Sequence, residues 1–371
     1  MAGGVRRPSP PGGDTLALLD QESSGEIVSH ATYARELRRR LPARCFGPVP
    51  ARLWWLVPHL AVIVLGIAWI GMDNLGWLPS LGLALLLGTS FASLGFLGHE
   101  VLHGSVVRTP WLSSLVGGIC FAPFNIGPRL WRKWHNAEHH GHTQQPNRDP
   151  DTVEMVAMLE QRRALRVFFR VPLGVRSFLT FASFAGWFSF HSFQMLRRYY
   201  REFGRGRLVV LGQFLAPLSV WLALLVWLGP AKFLFAYLLP VMLANFLVMS
   251  YIATNHLLNP LAQGHDPLAY SLTVTVPRWV DVLHLNFSHH TEHHIFPKMS
   301  LKHAPLLKRH LRELWPDRYH EMPLWLALRA LWRTPRLYLG HNALFDPPGA
   351  LAYPVLGHGL DPKRIAGYPP P

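Results

Sequence analysis

The chain has 371 residues, half of them hydrophobic and only 15% charged, and the apolar residues come in long blocks. In such a membrane profile Lys and Arg gather on cytoplasmic segments, so the net charge of +15 needs no nucleic-acid partner. Cys45 and Cys120 lie far apart and form no CxxC, which implies neither a disulfide framework nor a thiolate metal site.

Residues 1 to about 28 are rich in Gly, Pro and Ser and lack the hydrophobic region of a signal peptide, so disorder is expected there. The run Glu36-Leu37-Arg38-Arg39-Arg40 opens a basic approach that ends at Arg52. Residues 1–50 read as a disordered, basic, cytoplasmic N-terminal segment ahead of a transmembrane domain over 51–335. Leu53 to Met72 is uncharged and long enough for one bilayer crossing. A turn from Asp73 to Gly76 follows, and a second uncharged block, Trp77 to Gly98, runs straight into His99. Residues 104–207 carry 15 Lys/Arg against 6 Asp/Glu, which predicts the cytoplasmic side. Two apolar pieces interrupt them, Pro110 to Pro128 and Ser177 to Phe190, and both read as re-entrant or interfacial. Leu208 to Ala231 and Phe233 to Asn255 form two further uncharged blocks around a Gly229-Pro230 turn, a transmembrane hairpin. Residues 298–371 are mixed and basic, with surface helices and, over 336–371, a Pro/Gly-rich tail. The expected architecture is an all-α integral membrane protein with four transmembrane helices, a cytoplasmic histidine-rich cap and both termini cytoplasmic.

The histidines organise this chain. Ten of the 21 fall in His99 to His103, His135 to His142 and His289 to His294. On a helix, residues three and four apart share a face. His99 and His103 then point together, as do His290, His293 and His294, and His135, His139 and His140 come close to the same geometry. Neutral imidazole is the commonest nitrogen ligand for iron, zinc and copper. Three sets supply more ligands than one zinc needs. The pattern His99-Glu100-Val101-Leu102-His103 also fits HExxH, the motif of zinc proteases with Glu as general base; that reading leaves the other two clusters unexplained. A carboxylate-bridged di-iron bundle needs two Glu-x-x-His pairs, and only Glu100 to His103 qualifies. What remains is a histidine-rich site for two metals, drawn from His99, His103, His135, His139, His140, His290, His293 and His294. Iron suits imidazole and activates dioxygen, and within a bilayer the target is a lipid-like C–H bond. A metal transporter fits less well, since its ligands belong near the midplane and these lie at or beyond the ends of the apolar blocks.

The three stretches, HEVLH, HNAEHHGHTQ and HTEHHIFP, with Asp149-Pro150-Asp151 after the second, resemble the histidine boxes of the membrane fatty acid desaturases. The match runs from about residue 50 to 330 in order and spacing. The resemblance implies four transmembrane helices, a cytoplasmic di-iron centre and dehydrogenation of an acyl chain with O2 as co-substrate and two electrons. It also implies an extra ligand ahead of the third box, and His256 stands there. His142 and His289 flank the boxes but lie outside the pattern. His290 stands where many relatives have Gln, and Gln144 replaces the usual Asn. There is no HPGG haem motif of a fused cytochrome b5, so the electrons come from a separate donor of ferredoxin or cytochrome b5 type. The acyl chain is carried by a lipid or by coenzyme A. A hydroxylase, ketolase or alkane monooxygenase on the same scaffold is the competing reading; the HTEHHIFP form and the trailing Asp-Pro-Asp favour desaturation. Glu138, Asp149, Asp151 and Glu292 are candidate partners for the ligating imidazoles, or solvated loop charges, and Asp149 and Asp151 could equally cap a helix start. His59, His191, His303 and His310 carry no such expectation.

Overall fold

The computed structural model describes residues 27–72, 75–151, 154–349 and 351–367. Of the segment expected to be disordered, residues 1–26 lie outside these. Residues 27–50 correct the expectation. Helix α1 (His30–Arg40) starts at Ser29, whose hydroxyl accepts the Thr32 N–H at 3.3 Å. Its Tyr33 and Leu37 are fully buried in a cluster with Leu268, Ile295, Phe296 and Leu307, so the basic approach is fastened onto the third histidine box.

Three helical runs among the described residues are long and apolar enough to cross a membrane: Pro50–Met72, Trp77–His103 and Trp187–His256. The first contains α2 (Leu56–Met72) and the second is α3 (Trp77–His103). At ~1.5 Å per residue α3 reaches roughly 40 Å, longer than the thickness of about 30 Å of a bilayer's hydrocarbon layer. It stops at Gly104, whose φ of 77° is the left-handed conformation that glycine adopts without a steric penalty. Helix α4 (Pro110–Phe121) is too short to cross. The Ser177 to Phe190 piece divides between α5 (Leu173–Ser183) and α6 (Trp187–Tyr199).

The third run continues through α7 (Arg207–Phe233), a π-helical turn (Leu234–Leu238) and α8 (Leu239–His256). It does not run straight. Gly229 has φ 72° and ψ 165°, and the rings of Trp221 and Tyr237 stack with centroids 4.3 Å apart. Sixteen residues of straight helix would hold them about 24 Å apart. The chain therefore folds back at Gly229-Pro230, where the turn was expected, and Lys232 Nζ bonds the Gly71 carbonyl at 2.8 Å. Helices α3 and α8 lie against each other, and at Gly88 an added Cβ would stand 2.9 Å from both Leu243 Cβ and the Pro240 carbonyl. Outward faces are apolar: Val64, Leu65, Leu85, Leu86, Val220 and Val226 are all at least half exposed, the surface a lipid solvent requires rather than water.

The all-α expectation needs an amendment. The chain is mostly helical, but six short strands are present among the described residues. Strands β1 (Glu154–Met155), β4 (Leu337–Leu339), β5 (Ala343–Asp346) and β6 (Leu351–Pro354) form one sheet in the order β1-β4-β5-β6, while β2 (Thr273–Thr275) pairs in parallel with β3 (Glu321–Pro323). Much of the expected tail is thus folded. It braces the chain just past His256: Leu261 N–H bonds the His341 carbonyl and Leu356 N–H the Leu258 carbonyl, each at 2.9 Å, and the Tyr338 hydroxyl lies 2.7 Å from the Asn259 carbonyl. Helices α9 (His290–Ile295), α10 (Ala304–Leu314) and α11 (Leu324–Arg333) complete the cap.

Candidate metal centre

The first pair of imidazoles occupies the last turn of α3, with the His99 and His103 ring centroids 4.6 Å apart. The second box departs from the expected α-helix. Residues Arg132–His139 wind as a π-helix, and His140 N–H bonds the His135 carbonyl, five residues back. That wider turn brings His135 and His140 onto one face, Nε2 to Nε2 at 3.2 Å. In the third box the i, i+4 relation holds, with His290 and His294 Nε2 atoms 3.0 Å apart. The end of α8 adds His256, whose Nε2 is 2.8 Å from that of His290.

All nine imidazoles expected as ligands gather in one place, and eight fall into two sets of four. His99, His103, His135 and His293 form one; His139, His256, His290 and His294 form the other; within each, the ligand atoms lie within 4.8 Å of one another. His140 stands between the sets, 3.2 Å from His135, 3.1 Å from His293 and with its ring centroid 4.5 Å from that of His294. The donor chemistry fits a pair of metal ions. Burial and the neighbouring imidazoles hold His135, His140, His290, His293 and His294 well below the usual histidine range. Each therefore presents a lone pair at neutral pH. His103 Nε2 is buried without a hydrogen-bond partner, a state that costs about 1–3 kcal/mol unless a ligand satisfies it.

Outer partners fix several rings. His256 Nδ1 faces the Tyr270 carbonyl at 3.1 Å, which leaves Nε2 as the acceptor. His139 Nδ1 faces Asp149 Oδ1 at 3.0 Å and Asp151 Oδ2 at 3.3 Å. Burial disfavours the charged ring of His139, but the two carboxylates outweigh it and hold its pKa up at about 9. A carboxylate behind an imidazole orients it and raises its basicity as a ligand. Asp149 also accepts the Gln144 N–H at 2.8 Å. The Gln144 side chain reaches the His256 carbonyl at 2.9 Å, tying the second box to the end of α8.

The other carboxylates lie elsewhere. Glu138 pairs with Lys133 at 2.6 Å, and Glu292 accepts from Thr273 and Tyr319, both at 2.6 Å; neither meets one of the nine imidazoles. Glu292 has instead His289 at 3.4 Å, while His142 Nε2 lies 3.9 Å from Glu138, so both flanking histidines turn to carboxylates. Glu100 lies beside Arg52 at 3.4 Å and accepts from Ser300 at 2.9 Å. This ion pair occupies the carboxylate that a zinc protease would need as its base. One residue escaped the sequence reading. His191 bonds Asp151 Oδ1 at 3.0 Å, and Asp151 also accepts from Trp134 at 2.9 Å; a lone histidine 40 positions away carries no spacing signal.

A cavity of about 400 Å³ borders this site. His99, His135, His139, His256 and His290 form part of its wall, and Phe96, Phe121, Phe188, Val248 and Phe287 form much of the rest. A mostly apolar cavity bordered by imidazoles suits a hydrocarbon ligand.

A model of the fatty acid desaturase family matches residues 75–325. Among similar proteins, the sn-1 oleoyl-lipid 12-desaturase of Synechocystis sp. is 25% identical, over 84% of this chain and 89% of its own length. The chloroplastic omega-6 fatty acid desaturase of Spinacia oleracea is 24% identical, over 85% and 71% respectively. The chloroplastic sn-2 acyl-lipid omega-3 desaturase (ferredoxin) of Helianthus annuus is also 24% identical, over 75% and 67%.

Proposed function

Because this chain belongs to the fatty acid desaturase family and so to the oxidoreductases, we propose that it introduces a double bond into a lipid-borne acyl chain using O2 and two electrons. The observation that carries the reading is the pair of four-imidazole sets along the wall of an apolar cavity. His99, His103, His135 and His293 would hold one iron; His139, His256, His290 and His294 would hold the other, with His140 between them. When bound, the two irons would supply the dioxygen chemistry that removes two hydrogens from adjacent methylenes. The chain's own part is positional. Apolar walls hold the hydrocarbon and exclude water, and the fixed imidazoles decide which carbon lies nearest the reacting centre. Asp149 and Asp151 hold the His139 ring in place. Two hairpins, α2–α3 and α7–α8, make four membrane crossings, with the histidines and both termini on the cytoplasmic side. The relatives named as acyl-lipid desaturases favour a glycerolipid over a coenzyme A ester, and ferredoxin in one relative's name favours a small separate donor.

Expression in a host, with mass spectrometry of total fatty acids beside the His139→Ala variant, tests this reading. A new acid lighter by two hydrogens, found only with the wild-type chain, is expected. An acid heavier by one oxygen would move the assignment to a hydroxylase on the same scaffold.

A further inference from the structure

The cavity wall also includes Thr180, Ser183 and Arg336. Ser183 is exposed while the imidazoles are buried or half-buried, and we take this exposed part of the lining as the mouth. Helix α5 forms one side of it and is amphipathic in an unusual sense. Val175, Phe178 and Leu179 point outward and are 46% exposed or more, while Arg176 and Ser177 are fully buried. An apolar outer face and a polar inner one describe a helix lying in lipid.

Arg336 is the group at this mouth that its surroundings leave uncompensated. Its guanidinium donates to the Leu331 carbonyl at 2.8 Å, and at longer range to the Ser177 and Thr180 hydroxyls at 3.3 and 3.4 Å. Among the described residues it has no ion pair, whereas neighbouring Arg176 is paired with Asp346. Burial, then the like charge of Arg176, pulls its pKa down to about 10, so it stays charged at neutral pH but lacks a counter-ion. The Ser177 and Thr180 hydroxyls donate in turn to the Trp332 and Arg176 carbonyls at 2.7 and 2.8 Å, so they fix the guanidinium, and an unpaired, partly desolvated guanidinium on a cavity wall is the chemistry that receives a phosphate. A single ligand that fills the apolar cavity and meets Arg336 on its wall is an acyl phosphate-diester amphiphile.

We propose that Arg336, held in place by the Ser177 and Thr180 hydroxyls that accept from it, binds the phosphate of the substrate's head group while the acyl chain lies in the cavity, so that this contact sets how far the chain enters. The proposal rests on the desaturase reading for calling the ligand a substrate, but the binding itself does not. Phospholipids are the favoured source, because the mouth opens beside the lipid-facing side of α5; the phosphates of an acyl-coenzyme A ester share the chemistry.

Native mass spectrometry of the purified protein in neutral detergent, titrated with oleoyl phosphatidylglycerol, dioleoylglycerol and oleoyl-coenzyme A, tests it. The wild type should bind phosphatidylglycerol about tenfold or more tighter than dioleoylglycerol, the scale of one charge-assisted contact. Arg336→Gln should erase that preference and leave dioleoylglycerol binding unchanged; Arg336→Lys should keep part of it. A purely structural role, as the Leu331 hydrogen bond alone would give, lowers the melting temperature without altering head-group preference. Thr180→Val, which leaves the charge in place, should weaken the preference less and serves where Arg336→Gln fails to fold. Tighter binding of oleoyl-coenzyme A than of phosphatidylglycerol, lost in Arg336→Gln, would keep the phosphate site and overturn the phospholipid. Equal wild-type affinity for the charged and uncharged lipids, or an intact preference in Arg336→Gln, would overturn the site. Fatty acid products measured in parallel separate the two readings: head-group preference without desaturation sinks the enzyme assignment, and desaturation without preference sinks this site alone.

Discussion

Replacing Asp149 by Asn tests the link between the second box and its supporting carboxylate. The side chain keeps its shape and loses its charge. Oδ1 of Asp149 receives His139 Nδ1 and the Asp151 N–H, both at 3.0 Å, and Oδ2 receives the Gln144 N–H at 2.8 Å. All three approaching groups are donors. Whichever way the carboxamide turns, its NH2 faces at least one of them, and a buried donor left unpaired costs about 1–3 kcal/mol of stability. Metal affinity falls as well, because losing such a carboxylate behind a histidine ligand typically costs ~10–100-fold. Asp151, 3.3 Å from the same imidazole, retains part of the effect, so a loss of about tenfold, roughly 1.4 kcal/mol, is expected. Iron retained by the purified protein would be followed by elemental analysis during chelator titration, with a thermal melt alongside. Wild-type chelator resistance and an unchanged melt in Asp149→Asn would refute the assignment of Asp149 as the group that orients His139.

Three other substitutions probe the frame. Gly88→Ala puts a methyl group 2.9 Å from Leu243 Cβ and the Pro240 carbonyl, which should cost about 1–3 kcal/mol by overpacking. It should also lower iron content, because His99 and His256 sit at the ends of the two helices it separates; full iron loading with an unchanged melt would contradict this. Gly229→Ala imposes a backbone region open essentially to glycine, at about 1–3 kcal/mol, and should lower the melting temperature in detergent without altering head-group preference. Glu100→Gln strips Arg52 of its carboxylate, a buried-pair loss of about 3–5 kcal/mol. Its expected signature is a large drop in melting temperature, and a stable variant that merely lost a proteolytic activity would revive the zinc protease.

Much of the site was legible because ligation needs histidines at helical spacing, and spacing is what a sequence displays. His99 with His103, and His290 with His294, share faces as the i, i+4 rule requires. The apolar blocks and the Gly229-Pro230 turn were legible for the same reason: hydrophobic length and a backbone breaker are local signals. The π-helical winding of Arg132–His139 was not, since the α and π forms differ by one residue per hydrogen-bonded turn and leave no periodic mark in so short a stretch. Strands β4 to β6 have three or four residues each, too few for an alternation to register, and they owe their pairing to contacts with residues 257–261. His191 meets Asp151 only through the tertiary fold. The same holds for Arg336 and α5, whose polar side faces inward because its outer solvent is lipid.

With the two imidazole sets holding metal as proposed, the π-helical segment would make metal uptake and helix winding a single equilibrium. An α-helix is the better-bonded form of a short stretch, and in it His135 and His140, five apart, would no longer share a face. The wider winding therefore persists at a cost that imidazole–metal bonds can offset. An iron-free protein should relax toward the narrower winding and swing His140 away from His135. Amide protons of residues 132–140 would then exchange faster without iron than with it, while those in the middle of α3 keep the same rate. Deleting Ala137 would separate the two effects: His135 and His140 would then stand four apart, and an ordinary α-helical winding would keep both on one face with or without iron.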